Sequence, residues 1–149
     1  MVKLLHTADW QIGRVYSAFE PDDASAIAQA RFEAVEKLAT TAAEHQVDAV
    51  LVAGDVFDLQ TVSDKTIRRL FQATERFKGP WVMIPGNHDA ALAGSVWSRA
   101  KRLGAVPDHI VCALSAEPVE IHPGLVVLPA PLTQRHTASD LTEWFEHAS

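Results

Sequence analysis

The feature that most constrains this fold is a repeated unit in which a short apolar segment runs directly into a polar loop. Three such units occur in the chain: Leu4–Ala8 before Asp9-Trp10-Gln11, Ala49–Ala53 before Gly54-Asp55-Val56-Phe57-Asp58, and Trp81–Ile84 before Pro85-Gly86-Asn87-His88-Asp89. Continuous apolar runs of this length are typical of buried parallel strands. Parallel α/β sheets gather functional loops at the carboxyl ends of their strands, so the three loops are predicted to converge on one site.

Helical patterns alternate with these strands. Helices are predicted from Asp22 or Asp23 to about His45, after a cap at Ser63, from Ser95 to Leu103, and from Thr137 to His147. Three further apolar runs predict a strand and a hairpin, with Pro123-Gly124 as its turn: His109–Ala113, Pro118–Ile121 and Leu125–Leu128. The predicted fold class is α/β, a parallel sheet core flanked by helices, with a hairpin extension.

Composition narrows the class of protein. The 149 residues fit one domain, and no apolar run approaches the roughly 20 residues of a membrane span. The N-terminus lacks a signal-peptide pattern, and the single Cys112 forms no internal disulfide. We therefore expect a cytoplasmic protein with no membrane segment.

Charge is distributed unevenly along the chain. The net charge is −6, yet residues 61–105 carry eight Lys and Arg against three Asp and Glu. This basic segment fits a surface that tracks a phosphate backbone, and it fits a solvated helix face equally well.

The three loops carry the chemistry. Asp9, Asp55 and Asn87 are hard oxygen donors that suit Mg²⁺ or Mn²⁺, and a nearby imidazole favours manganese, iron or zinc. Asp55, on the middle strand, is best placed to bridge two ions, which in such sites clamp the oxygens of a phosphoryl transfer. His88 is predicted to protonate the leaving alkoxide or to stabilise the charge on the phosphoryl group, with Asp89 orienting it.

Two other polar residues near these loops each have a functional and a purely structural interpretation. Asp58 is predicted to fix its loop or to meet substrate. Arg14 is predicted to bind a substrate phosphate or to form a solvent-exposed ion pair.

The motifs resemble the calcineurin-like metallophosphoesterase superfamily, whose signature is Asp-x-His, Gly-Asp-x-x-Asp and Gly-Asn-His-Asp/Glu. The flanking segments His6–Arg14, Gly54–Asp58 and Leu128–Pro131 are similar to the nuclease subunit of the SbcCD type of double-strand-break-repair complex. The resemblance extends from residue 3 to about residue 131.

This resemblance implies a fold and a function. The fold would be the N-terminal half of a four-layer α/β/β/α sandwich. Asp9, Asp55 and Asn87 would bind two divalent ions, manganese before magnesium, iron or zinc, with Asp55 bridging and His88 as the catalytic histidine. The substrate would be DNA, the partner an ATPase of the SbcC or Rad50-like kind, and the nuclease subunit would form a homodimer.

The chain departs from the family pattern in two places. Position 11 is Gln where most members have His, so Gln11 would bind the metal through its carbonyl oxygen, more weakly than imidazole does, or act through a bound water. The family's later His ligands, including a Gly-His-x-His pair, are absent. Residues 1–149 are therefore expected to be one metallophosphoesterase domain truncated before those histidines.

Three functional hypotheses follow. The first is a metal-dependent phosphodiesterase, specifically a DNA exonuclease or endonuclease subunit. The second is a small-molecule or nucleotide phosphoesterase on the same scaffold. The third, favoured by Gln11 and the missing histidines, is a non-catalytic domain that serves dimerisation or partner binding.

Overall fold

The computed structural model describes residues 1–148, in which strands and helices alternate before a small hairpin. In chain order the elements are β1 (Leu4–Thr7), α1 (Pro21–Glu44), β2 (Ala49–Ala53), α2 (Asp64–Ala73), β3 (Trp81–Ile84), α3 (Val96–Arg102), β4 (Ile110–Cys112), β5 (Val119–His122), β6 (Leu125–Val127) and a 3-10 helix (Glu143–His147). This is the α/β fold with a helix-flanked parallel sheet that the sequence predicts.

The first four strands form one parallel sheet in the order β1-β2-β3-β4. Leu5 pairs with Val50, Val50 with Trp81, and Trp81 with Ile110, so these side chains form one row across the sheet. β5 and β6 form a separate antiparallel pair, which confirms the predicted hairpin. The carboxyl ends of β1, β2 and β3 therefore lie at one edge, where the three polar loops begin.

One face of the sheet carries the core. α1 buries Phe32, Val35, Ala39 and Ala42 at helical spacing, and α2 and α3 add Leu70, Phe71 and Trp97 against the row that contains Trp81. Helices α2 and α3 begin where Ser63 and Ser95 accept hydrogen bonds from Thr66 N and Ser98 N. The predicted cap at Ser63 is thus confirmed.

The opposite face of the sheet is more open. A mostly apolar cleft of about 230 Å³ lies there between the strands, residues 127–130 and Phe145. His6 lines this cleft, and its side chain is exposed rather than packed against the helices. The physical reason is register: alternate residues of β1 point away from the helices.

Two predicted helices differ from the structure. α1 begins at Pro21 after Glu20, and Asp22 and Asp23 lie in its first turn rather than capping it. Proline suits this position because its missing N–H has no partner in the first turn. The helix predicted over Thr137–His147 is only a 3-10 helix at Glu143–His147, since backbone N–H groups in the short turns before it donate to the Thr137 and Asp140 side chains.

Within residues 1–148, no helix is both long and apolar enough to cross a membrane.

Candidate functional site

The first two loops are joined by a continuation of the β1–β2 pairing. Asp9 N donates to Gly54 O at 3.1 Å and Gln11 N donates to Asp55 O at 2.9 Å. Ile12 then pairs with Phe57 in an isolated parallel bridge, and both side chains are fully buried. Because the backbone of each loop holds the other, Asp9, Gln11 and Asp55 are fixed at the same edge of the sheet.

Left-handed backbone is concentrated in these loops. Among residues 1–148, four non-glycine residues have a positive φ, and three of them are Asp9 (56°), Gln11 (47°) and Asp55 (51°). Such conformations cost an L-residue of order 1–3 kcal/mol and persist where the surrounding structure enforces them, as they often do at functional sites. The hydrogen bonds between the two loops supply that enforcement.

The third loop approaches Asp55 through a glycine. A Cβ at Gly86 would lie 2.5 Å from Asp55 N and 2.8 Å from Asp55 Cγ, and closer still to Asp55 Oδ1. Asp55 Oδ1 also accepts a hydrogen bond from His88 N at 3.0 Å. Only glycine permits this approach, so Gly86 is what allows the β3 loop to deliver Asn87 and His88 to the buried Asp55 carboxylate.

His88 is held by Asp58. Its Nδ1 lies 2.9 Å from the Asp58 main-chain oxygen and 3.5 Å from Asp58 Oδ1. A carbonyl oxygen can only accept, so Nδ1 carries the hydrogen in this contact and Nε2 is left for other partners. The His88 side chain is 31% exposed, which leaves the ring accessible from solvent.

Within residues 1–148, the Asp89 carboxylate makes no hydrogen bond or ion pair with His88, contrary to its predicted orienting role. Its fully buried carboxylate accepts from Gly86 N at 2.7 Å and from Phe57 N at 3.1 Å. Burial raises the pKa of Asp89 to about 6, and the nearby Asp55 charge adds to the rise, while the two backbone hydrogen bonds lower the pKa. Asp89 therefore ties the β2 loop to the β3 loop instead of positioning the imidazole.

Gln11 and Arg14 are engaged with each other. Arg14 Nη1 donates to Gln11 Oε1 at 2.5 Å. This is the oxygen through which Gln11 is predicted to bind metal, and a guanidinium beside it opposes the approach of a cation. Gln11 is half-buried and Arg14 is exposed.

Two residues that the sequence reasoning did not assign support the third loop. Gln60 Nε2 donates to Ala90 O and Gln60 Oε1 accepts from Val96 N, each at 2.8 Å. Trp97 Nε1 donates to Asp89 O at 2.6 Å. A glutamine in a loop and a tryptophan on a helix carry no motif, so no signal in the sequence marks these roles.

The donor set can be compared with what a metal requires. The carboxylates of Asp9 and Asp55 and the amide oxygen of Asn87 are hard donors that fit Mg²⁺ or Mn²⁺. Asp9 and Asn87 are exposed, whereas Asp55 is only 7% exposed. Within residues 1–148, no three His, Cys, Asp or Glu side chains are grouped closely enough to hold a metal ion. The oxygen donors therefore fit a divalent cation in kind, and they supply only part of a coordination shell.

Comparison with known proteins identifies the family. The model of the calcineurin-like phosphoesterase family matches residues 2–141. The chain belongs to the calcineurin-like phosphoesterases. The resemblance of the three motifs to this family is thereby confirmed.

Individual relatives are more distant. The SbcD subunit of the SbcCD nuclease from Bacillus subtilis is 29% identical over 126 residues, which cover 80% of this chain and 30% of that protein. The SbcD subunit from Escherichia coli K12 is 29% identical over 140 residues, covering 87% of this chain and 32% of that protein. The chain described here thus spans about a third of the length of these curated relatives.

Proposed function

We propose that this chain is the metal-binding part of a phosphodiesterase that hydrolyses DNA. The observation that carries the proposal is the contact of Asp55 with the His88 loop, because it joins the predicted metal ligand to the predicted proton donor. The family membership supports hydrolysis of a phosphoester, and the similarity to nuclease subunits supports a nucleic-acid substrate.

Each residue of the site has a role in this proposal. Asp9, Asp55 and Asn87 hold the divalent ions, with manganese as the first expectation. Bound ions of this kind polarise the phosphoryl oxygens and lower the pKa of a water molecule. His88 donates a proton from Nε2 to the leaving alkoxide, because its Nδ1 is occupied by the Asp58 carbonyl.

The surrounding residues hold this arrangement in place. Asp58 fixes the imidazole and excludes the alternative tautomer. Arg14 faces the substrate phosphate, and Gln11 keeps its guanidinium at the edge of the site.

By the resemblance to the SbcD nuclease subunits, an SbcC-type ATPase is the proposed partner and a homodimer the proposed assembly.

Manganese-dependent hydrolysis by the 149-residue chain tests the proposal. The substrates are duplex DNA, the diester bis(p-nitrophenyl) phosphate and the monoester p-nitrophenyl phosphate. We expect DNA and the diester to be cleaved, Asp55→Ala to lose both activity and bound manganese, and His88→Ala to lose activity while retaining manganese. His136→Ala, at an exposed position outside the three loops, is the matched control and should behave as the parent chain.

A second candidate function follows from the Gln11–Arg14 contact. If the Arg14 guanidinium keeps one of the two divalent ions from binding, the domain has the fold of the family but does not hydrolyse phosphodiesters. Its role is then dimerisation or partner binding. A folded parent chain that binds no manganese and cleaves none of the three substrates would decide for this alternative.

A further inference from the structure

The exposed side of α2 carries a line of cations. The first turn of the helix carries Lys65, and the next turn carries Arg68 and Arg69. The same face continues with Gln72, and Arg76 follows in the turn beyond Ala73. All five side chains are exposed. We call the four cations the α2 stripe, and at a rise of 1.5 Å per residue the stripe is roughly 15 Å long.

Three members of the α2 stripe are uncommitted. Arg69 is held by Gln29 and stacks on the Phe32 ring at 3.9 Å from its centroid. The side chains of Lys65, Arg68 and Arg76 make no hydrogen bond or ion pair with any other part of residues 1–148. These three cations are available to an external anion.

The acids of the same segment are already paired. Asp64 lies 3.7 Å from Arg99, and Glu75 lies 3.8 Å from Lys78. Each of these cations lies outside the α2 stripe, so the stripe keeps a net positive charge although the whole chain carries −6.

The shape of the surface suits an extended ligand. An open depression of about 510 Å³ is lined by Lys65, Arg68, Arg69 and Gln72. A second, of about 200 Å³, lies between α2 and residues 104–107 and shares Arg68 and Gln72 with the first. Arg68 therefore stands between two shallow grooves along the helix.

The α2 stripe begins beside the candidate site. Gly13, two residues after Gln11, packs so closely that a Cβ there would collide with Val62 Cγ1 and would lie 3.8 Å from Thr66 Cγ2. The loop that carries Gln11 and Arg14 thus touches the first turn of α2. A strand that follows the stripe towards the helix N-terminus arrives at the edge where Asp9 and Asp55 lie.

We propose that the α2 stripe binds the phosphate backbone of DNA and guides the strand to the candidate site. This inference rests on the proposed function, since it names the surface that recognises the same substrate. Arginine matches phosphate geometry through its planar fork of donors. With phosphates spaced about 3.4 Å per strand along the axis, a stripe of this length faces about four of them.

The test separates binding from hydrolysis. The full chain is titrated in EDTA against a fluorescein-labelled duplex of about 20 base pairs, and anisotropy is measured from roughly 50 to 200 mM salt. The test variant is Lys65→Gln/Arg68→Gln/Arg76→Gln, in which glutamine keeps a favourable helix propensity. The control, Lys3→Gln/Lys37→Gln/Arg135→Gln, changes the net charge by the same amount at exposed positions away from α2.

We expect the triple stripe variant to reduce the slope of log K against log salt by about 2.7, or 0.9 for each of three phosphate contacts. Over the fourfold rise in salt, the parent chain should therefore lose about 40-fold more affinity than the triple stripe variant. The control should keep the parent slope, and circular dichroism should show the helical content of the parent chain in both variants.

Equal losses in the two triple variants would overturn the inference, as would a parent chain that does not bind the duplex at low salt. Salt-sensitive self-association in place of DNA binding would also overturn it, because the stripe would then face acids of a second copy. If binding depends on the stripe but manganese supports no cleavage, the proposed hydrolysis fails while the surface stands. If cleavage occurs and the stripe variant binds normally, only the surface fails.

Discussion

Gly86→Ala tests whether the close approach of the third loop to Asp55 positions the candidate site. The added Cβ would lie 2.5 Å from Asp55 N and 2.8 Å from Asp55 Cγ, whereas carbon atoms pack comfortably at about 3.5–4.0 Å. One of the two colliding groups is backbone that is fixed by the pairing of the first two loops, so it cannot move aside cheaply. Overpacking of this kind costs up to about 3 kcal/mol.

Thermal unfolding followed by circular dichroism measures that cost. For a domain of this size, about 3 kcal/mol lowers Tm by roughly 6–12 °C. Gly104→Ala is the matched control, because a Cβ there meets nothing within 4 Å but must adopt a φ of +63°. Left-handed backbone alone costs about 1 kcal/mol, which predicts a fall of roughly 2–4 °C.

The same pair of variants tests the site. Displacement of Asp55 should weaken manganese binding in Gly86→Ala, measured by calorimetry below the Tm of both proteins, and should leave it unchanged in Gly104→Ala. A Tm for Gly86→Ala that falls no further than that of Gly104→Ala would refute the reasoning, since the collision would then have been relieved without cost.

Three other predictions concern titration, metal affinity and thiol chemistry. Burial raises the pKa of Asp89 in the folded protein from 3.8 to about 6, so the folded protein retains this proton to higher pH than the unfolded chain. The stabilisation that comes from this bound proton is present below about pH 4 and is lost as the pH rises through 6. Urea unfolding in EDTA should therefore show Asp89→Asn gaining about 3 kcal/mol relative to the parent between pH 4 and 7, and a pH-independent difference would contradict the shift. Gln11→His should tighten manganese binding about tenfold by calorimetry, because imidazole is a better ligand than a carbonyl oxygen already bonded to Arg14; unchanged affinity would mean that position 11 is not a ligand. Burial raises the pKa of the Cys112 thiol to about 12, so alkylation of this half-buried residue at pH 8 should be much slower than that of free cysteine, and labelling of the native protein at the rate of free cysteine would disprove this.

The local elements were largely predictable from the sequence. The apolar run Trp81–Ile84 is the third strand at the predicted bounds, and Ser63 caps α2 as expected. Such features depend on residues a few positions apart, where periodicity and capping act. The C-terminal segment shows the limit, because the amphipathic spacing of Leu141, Trp144 and Phe145 predicted a helix, and local turns left only a 3-10 helix.

The order of the three motifs already predicted that Asp9, Asp55 and Asn87 belong to one sheet edge, because parallel strands bring their carboxyl ends together. The partners of each side chain were decided only by the tertiary structure. By adjacency in the sequence Asp89 is the natural partner of His88, yet His88 bonds to Asp58, and Asp89 bonds to Gly86 and Phe57. The physical reason is that the backbone of the β3 loop turns its neighbouring side chains towards different loops. Residues thirty positions apart then meet through contacts that the spacing of a motif does not encode.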